Sequence, residues 1–150
     1  MNIIQIIILY RERQELEIPK EIHDLYKSIF HSKSHREFLF FWNLGKICQA
    51  EKETLITSGD TQTDLMLILN GKADAVRDGE KIVTLERGQF IAEISYITGK
   101  PASADVVPQG RLTYYVWDHI TLDKLRKSKP ATMGKLDSIL SLDMAGKLTR

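Results

Sequence analysis

Residues 88–107 read GQFIAEISYITGKPASADVV, and this segment carries the strongest functional signal in the sequence. Glu93 stands alone among apolar neighbours, so its carboxylate needs hydrogen-bond donors if it is buried. The run from 92 to 97 is long enough for about one and a half helical turns, and the Gly-Lys-Pro sequence at 99–101 ends it. Residues 102–104 are small enough for a ligand to reach the backbone. The start of a short helix beside small residues offers several unpaired N–H groups, a combination that favours an anion.

The composition places the chain in a broad class of proteins. It has 150 residues, with 21 basic and 20 acidic side chains and a formal net charge of +1. This length is typical of one domain that buries a core without disulfides or metals. The near-neutral charge argues against a partner that is a nucleic acid. The single cysteine, Cys48, excludes an internal disulfide and is typical of a reducing compartment, so we expect a cytoplasmic location.

The chain begins with an apolar segment that is too short to cross a membrane. Residues 3–10 read IIQIIILY, whereas a membrane-spanning helix needs about 20 residues. Residues 11–13 are Arg-Glu-Arg, where a signal peptide would have small residues. We therefore expect residues 1–18 to be a connector or docking segment and residues 19–150 to be the domain. A membrane would be involved only through a segment upstream of Met1, which would tether the domain to the inner face of a membrane in a longer parent protein.

Helical patterns flank the centre of the chain. Apolar residues recur every three or four positions from Ile22 to Phe30, which predicts an amphipathic helix. The sequence Ser-His-Arg-Glu at 34–37 is a capping box, and it predicts a second helix that Gly45 would end in the left-handed conformation. Towards the C-terminus, Asp118 can cap a further helix, and the apolar spacing over 133–148 predicts a last one.

The centre of the chain consists of short apolar runs separated by turn signals. The runs lie at residues 47–50, 54–57, 65–69, 73–76, 82–85, 104–107 and 112–117. The turn signals include Asn70-Gly71, Asp78-Gly79 and Gln109-Gly110. Asp78-Gly79 is typical of a tight hairpin because both residues tolerate positive φ. Seven or eight short strands at this spacing predict a mainly β protein, a jelly roll or barrel with flanking helices, rather than a βαβ sheet.

The segment 88–107 resembles the phosphate-binding cassette of cyclic-nucleotide-binding domains, which usually reads F-G-E-(apolar run)-x-P-R-A-A-T-V. The matching residues are Phe90, Glu93, Pro101, Ala104 and Val106. The resemblance extends over roughly residues 34–148. Outside the cassette it rests on Gly59-Asp60, the run at 65–71, and the turn glycines Gly79 and Gly88. It implies a cyclic-nucleotide-binding-like jelly roll with N-terminal helices and with C-terminal helices that act as a lid.

A narrower resemblance concerns the front of the chain. The positions that carry it are Asn2, Gln5, Leu9, Arg13, Leu25, Tyr26 and Phe30. They are similar to the segment that joins membrane helices to the domain in Popeye-type and related bacterial membrane proteins, in which a cassette of the form EISxITGKPASADV also occurs. The animal Popeye motif Asp-Ser-Pro-Glu is absent from this sequence. The resemblance implies a Popeye-like, membrane-associated parent protein.

The resemblance to cyclic-nucleotide-binding domains implies roles for individual cassette residues. Glu93 would accept a hydrogen bond from the ribose 2′-hydroxyl. The backbone around Ile94, Ser103 and Ala104 would contact the cyclic phosphate of cAMP or cGMP. Structural explanations exist for the same residues, because Glu93 can pair with backbone amides or a structural cation, and small residues can simply let two strands approach.

Two residues depart from the family pattern. Ala102 stands where the family has the arginine that holds the cyclic phosphate, and Ala92 replaces a glycine close to the sugar. A charge-assisted hydrogen bond contributes about 1.5–3 kcal/mol, so we expect binding to be roughly ten- to hundredfold weaker, or absent. Lys100 can supply a replacement charge without the forked geometry of arginine, or it can be a solvated loop residue. Ser103 can add a hydroxyl group.

Two functions are consistent with these residues. The first is a regulatory or sensor module without enzymatic activity, which binds a cyclic nucleotide, needs no cofactor and acts on a regulatory protein partner when its C-terminal helix closes over the site. The alternative is a degenerate domain that forms a homo-oligomer or a protein-interaction scaffold without nucleotide. The sequence has no G-x-S-x-G elbow and no Walker loop. His31 and His35 are separated by the cap at Ser34, so we do not expect them to bind a metal.

Overall fold

The structure is a computed structural model. It describes the backbone of residues 18–148 and the side chains of residues 18–143. Two compact units divide between Asn43 and Leu44. The predicted connector at residues 1–18 lies outside the described residues, apart from the buried Ile18. Within the described part of the chain, no helix is both long enough and apolar enough to span a bilayer.

The first unit, residues 18–43, is helical. A single 3₁₀ turn at Lys20–Ile22 is followed by α1 (His23–Ser28) and α2 (His35–Asn43). The predicted first helix is therefore present but ends before Phe30. The capping box is confirmed, because Ser34 N donates to Glu37 Oε1 at 3.2 Å and Glu37 N donates to Ser34 Oγ at 3.1 Å. These bonds satisfy N–H groups that the first turn of α2 would otherwise leave unpaired.

Aromatic side chains pack together in this unit. The Phe38 ring centroid lies 5.3 Å from that of Phe30 and 5.6 Å from that of Trp42. Offset or tilted rings at these distances attract one another in addition to burying apolar surface. Lys33 is also buried, with 1% of its surface exposed, and its Nζ lies 5.4 Å from the centre of the Phe41 ring. An ammonium group over an aromatic ring is stabilised by the electron-rich face of that ring.

The second unit, residues 44–148, is an antiparallel sheet with three helices. Its strands are β1 (Lys46–Ala50), β2 (Leu65–Arg77), β3 (Glu80–Leu85), β4 (Phe90–Ile91) and β5 (Asp105–Trp117). Its helices are α3 (Glu93–Thr98), α4 (His119–Ser128) and α5 (Pro130–Leu148). The strand order is β1-β5-β2-β3, with β4 also paired to β2. The predicted fold class, a mainly β jelly roll with flanking helices, is confirmed, although the sheet is not closed into a barrel.

Several predicted strands merge, and two predicted turns lie inside long strands. The merged runs are 65–69 with 73–76 in β2, and 104–107 with 112–117 in β5. Gly71 and Gly110 have positive φ, +88° and +68°, but the chain continues as strand and only the β2–β5 register shifts nearby. The same conformation that opens a tight turn also forms a bulge, so the glycines mark bulges here. The predicted strand at 54–57 contributes a bridge between Ile56 and Val106.

Two glycine predictions have opposite outcomes. Asp78-Gly79 connects β2 to β3 as expected, with φ values of +54° and +79°. The prediction for Gly45 is wrong, because its φ is not in the left-handed region. Its missing side chain serves close packing instead, since a Cβ at this position would collide with the ring of Tyr115.

A cluster of buried aliphatic side chains forms the core of the sheet unit. Its members are Ile56, Met66, Ile68, Ala73, Leu85, Ile91, Val106 and Leu112. Complete burial of a large aliphatic side chain contributes about 1.5–3 kcal/mol. Ala92 and Ala102 pack against this cluster, so the segment 88–107 is fixed to the core on both sides of α3.

The C-terminal helices follow the predicted pattern. Asp118 caps α4, because its Oδ1 accepts a hydrogen bond from Thr121 N at 2.7 Å. Met133, Leu136 and Leu140 of α5 are buried, in agreement with the apolar spacing of that helix. The side chains of the last predicted positions, from 144 onward, lie outside the described residues. Helix α5 contacts both α4 and α3, so the end of the chain packs on the short helix of the cassette segment.

Candidate ligand-binding site

A cavity of about 780 Å³ is bounded by α3, by the loop that follows it and by the β2–β3 hairpin. All the candidate residues chosen from the sequence line this one cavity: Ala92, Glu93, Ile94, Lys100, Ala102, Ser103 and Ala104. The hairpin adds residues that the sequence interpretation did not include: Ala75, Arg77, Ile82, Val83 and Leu85. The volume lies within the range of small-molecule sites.

The entry of the chain into α3 positions Glu93. Strand β4 pairs with β2, with Ile91 opposite Met66. The next residue, Ala92, has φ +58° and ψ +31°, a left-handed conformation that is uncommon for a residue with a side chain. After this turn Glu93 is the first residue of α3, and only 1% of its surface is exposed. The turn therefore buries a carboxylate in the wall of the cavity.

The loop after α3 is held by hydrogen bonds to the rest of the sheet unit. Ser95 Oγ donates to Lys100 O at 2.6 Å. Ala102 N donates to Asp60 O, and Gly59 N donates to Ala102 O, both at 2.8 Å. The N–H group of Ala102 is thus already used in a hydrogen bond within the protein. Ala102 can therefore contact a ligand through its methyl group.

Arg77 lines the cavity and was not among the residues chosen from the sequence. It is the last residue of β2, and its Nε donates to Ser103 O while its Nη2 donates to Ser103 Oγ, each at 2.9 Å. The pairing of Val76 with Asp105 brings the end of β2 beside the start of β5 and the loop before it. From the sequence, the Asp78-Gly79 turn signal could predict that Arg77 ends a strand. It could not predict that Arg77 lies beside the loop that contains Ser103.

Charged and apolar groups are both present in the cavity wall. Arg77 and Lys100 supply positive charges on exposed residues, and Glu93 supplies a buried carboxyl group. Ile82 and Ile94 line the cavity as well, and their side chains are partly exposed to solvent. The arrangement can bind a small molecule that has an anionic group, a hydroxyl donor and an apolar surface.

A smaller cavity of about 350 Å³ lies among α3, α4 and α5. Arg126 lines it and forms ion pairs with Asp123 at 3.5 Å and with Asp137 at 3.8 Å. Tyr96 of α3 lines it too, and burial raises the pKa of its hydroxyl group. Helix α3 therefore has residues in the walls of both cavities. Among the residues described, no three His, Cys, Asp or Glu side chains are grouped as a metal site would require.

Comparison with known proteins gives matches to one family. The sequence profile of the family described as "Cyclic nucleotide-binding domain" matches residues 49–129, just over half of the chain. A cyclic nucleotide-binding domain from Methylobacillus flagellatus KT has a similar structure, with a TM-score of 0.77 and 25% identity over 87% of this chain and 78% of that one. None of the curated protein sequences matches this chain.

Two further solved structures share the fold. The regulatory domain of Toxoplasma gondii PKA, crystallised with cAMP, gives a TM-score of 0.59 at 16% identity over 73% of this chain and 46% of that one. The catabolite activator protein of Thermus thermophilus gives 0.64 at 17% identity over 79% of this chain and 59% of that one. The present chain thus spans less than two thirds of these two proteins. Because a family profile and the fold agree, the chain belongs to the cyclic nucleotide-binding domain family, whose members are typically regulatory rather than catalytic.

Proposed function

We propose that the chain is a non-enzymatic regulatory or sensor module that binds a cyclic nucleotide, cAMP or cGMP, in the 780 Å³ cavity. One observation carries the proposal: all seven candidate residues line this single cavity, among them the buried Glu93 and the cation Lys100, and Arg77 adds a second cation. A cyclic nucleotide has matching chemistry, since it offers a ribose hydroxyl, an anionic phosphate and an apolar base.

The proposal gives each part of the ligand a partner. Glu93 accepts a hydrogen bond from the ribose 2′-hydroxyl, and the backbone of Ile94, Ser103 and Ala104 contacts the phosphate. Ala102 supplies no charge. We therefore expect the chain to bind a cyclic nucleotide about ten- to hundredfold more weakly than it would with an arginine at position 102. No cofactor is needed, because binding by these groups requires no bond to be made or broken.

The response to the ligand passes through α3 in this proposal. Glu93 and Tyr96 lie on the same short helix, and they line the ligand cavity and the smaller cavity respectively. Helix α5 contacts α3, so a change in α3 alters the packing of the C-terminal helices that a regulatory partner would bind. A ligand can shift this packing only if it binds one arrangement more tightly than the other.

Calorimetric titration with cAMP and cGMP tests binding directly. We expect saturable heat, and a flat titration at millimolar ligand contradicts the proposal. Glu93→Gln removes the carboxylate charge at nearly constant size and should weaken binding strongly. Glu86→Gln is the matched control, because Glu86 is exposed and does not line the cavity. Its Oε1 lies 3.4 Å from Lys72 Nζ in an ion pair.

The alternative function is a scaffold that no longer binds nucleotide. The observation in its favour is Ala102, which packs against the hydrophobic core and so has become part of the fold. This alternative expects a stable homo-oligomer or a constant protein partner. Light scattering with and without cAMP tests this alternative. The scaffold should have the mass of an oligomer, and cAMP should not change that mass. The mass of a monomer would argue against the scaffold.

We also propose that residues 1–18 connect the domain to a membrane segment of a longer, Popeye-like parent protein at the inner face of the membrane. The support for this is the resemblance at the front of the chain, where the apolar run at 3–10 is followed by charged residues. Reading the gene upstream of the Met1 codon tests it. An in-frame segment of about 20 apolar residues is expected, and a stop codon directly upstream contradicts the proposal.

A further inference from the structure

Arg77 is the cation that reaches the cavity from outside the segment 88–107. It belongs to the β2–β3 hairpin rather than to the segment 88–107. The pairing of Val76 with Asp105 sets its backbone beside the loop that contains Ala102 and Ser103. Two hydrogen bonds of 2.9 Å to Ser103 then fix the guanidinium group next to the position that lacks a charge.

The hydrogen bonds to Ser103 use only one edge of the guanidinium group. Nε and Nη2 form that edge, and both donate to Ser103. An arginine has five N–H donors in a planar fork, so one N–H of Nη2 and both of Nη1 remain. Among the residues described, the structure gives Nη1 no acceptor. The second edge, made by Nη1 and Nη2, has the geometry that binds two oxygens of a phosphate group at once.

Lys100 is the other cation in the cavity wall, and it is less well suited to this task. Its backbone is fixed by Ser95 Oγ and Thr98 Oγ1, but the described residues offer no partner that holds its ammonium group. A flexible ammonium group must lose side-chain freedom on binding, whereas Arg77 is already ordered by Ser103. Arg77 is therefore the better preorganised anion ligand.

We infer that Arg77 is the phosphate-binding cation of this site, supplied by β2 in place of the arginine that is absent at position 102. The inference rests on the proposed function and adds to it the residue that holds the anionic group. It also means that the substitution at position 102 need not abolish binding, because a guanidinium group reaches the same loop from a different strand.

Titration of the full chain with cAMP and with adenosine, which lacks the phosphate, tests the inference. Arg77→Gln should weaken cAMP binding about ten- to hundredfold and change adenosine binding less than about twofold. Arg77→Lys, which keeps the charge without the fork, should weaken cAMP binding by a smaller factor. Arg111→Gln is the control for net charge, because Arg111 is exposed and pairs with Glu51 at 3.7 Å; it should change neither affinity.

The outcomes separate this inference from the proposed function. If the wild-type chain binds neither cAMP nor cGMP, the proposed function fails and the inference fails with it. If the wild type binds cAMP but Arg77→Gln binds it equally well, only the inference is overturned. An equal loss for cAMP and adenosine also overturns it, since Arg77 would then only support the loop. Should Arg77→Gln not fold, judged by its urea transition, the same comparison is made with Arg77→Lys.

Discussion

Ser103→Ala is the most direct perturbation of the contact between the hairpin and the cassette loop. It removes the Oγ acceptor of Arg77 Nη2 but keeps the backbone O that accepts from Nε. A charge-assisted hydrogen bond contributes about 1.5–3 kcal/mol, but Ser103 is exposed and the bond from Nε remains. We therefore expect a loss of about 0.5–1.5 kcal/mol, which corresponds to about a two- to tenfold change in affinity. We expect cAMP binding to weaken by this factor, with little change in stability because Ser103 is exposed.

A double-mutant cycle shows whether this effect passes through Arg77. Calorimetric titration with cAMP is carried out on the wild type, Ser103→Ala, Arg77→Gln and the double variant. In the Arg77→Gln background we expect Ser103→Ala to have almost no further effect, because no guanidinium group is left to be held. If the two effects multiply instead, the Ser103 hydroxyl acts on the ligand by itself and the reasoning from the Arg77 contact is refuted. Ser58→Ala is the matched control, since Ser58 Oγ donates to Ala102 O at 3.5 Å and, among the residues described, accepts no hydrogen bond from Arg77.

Two predictions concern stability and are checked by urea unfolding. Gly79→Ala should lower the free energy of unfolding by about 1–2 kcal/mol, because Gly79 has a positive φ. Gly71→Ala should lower it by about 1–3 kcal/mol more, because a Cβ at Gly71 would also collide with Arg111 O. Equal losses for the two variants would contradict this reasoning. The hydrogen bond from Thr121 N holds the pKa of Asp118 below its ordinary value. The Asp118 carboxylate therefore stabilises the fold fully at a pH above its unfolded pKa of about 3.9, and this stabilisation is lost as the pH falls through the lower pKa of the folded state. Asp118→Asn should keep the cap but lose this part of the acid sensitivity, and an unchanged pH dependence between pH 2 and 5, roughly the range of the titration, would contradict the assignment.

The helices and the cassette were predictable because their signals are local. The capping box at 34–37 and the cap at Asp118 depend on residues three positions apart, and both are confirmed. The segment 88–107 also indicated its own short helix, and α3 (Glu93–Thr98) lies one residue further along than the predicted run at 92–97. Whether the cassette residues bind a nucleotide stays a prediction.

The features that were not predictable depend on pairing between distant segments. Asn70-Gly71 is a turn signal in any local reading, and only the pairing of β2 with β5 makes it a bulge. Gly45 fits a helix end by sequence, yet its small size is required by Tyr115, which lies 70 positions further along. Arg77 was missed for the same reason, because the strand register that brings it to Ser103 has no counterpart in the local sequence.

The buried Lys33 gives the helical unit its own chemical reporter. Amine reagents modify only amino groups that solvent can reach, and the Lys33 side chain is 1% exposed, with its Nζ over the Phe41 ring. Exposed lysines of the same unit, Lys20 and Lys27, should react within the first minutes, whereas Lys33 should react only when the packing around it opens. Mass spectrometry of the labelled peptide would therefore follow the opening of the packing around Lys33, without a fluorophore or a mutation.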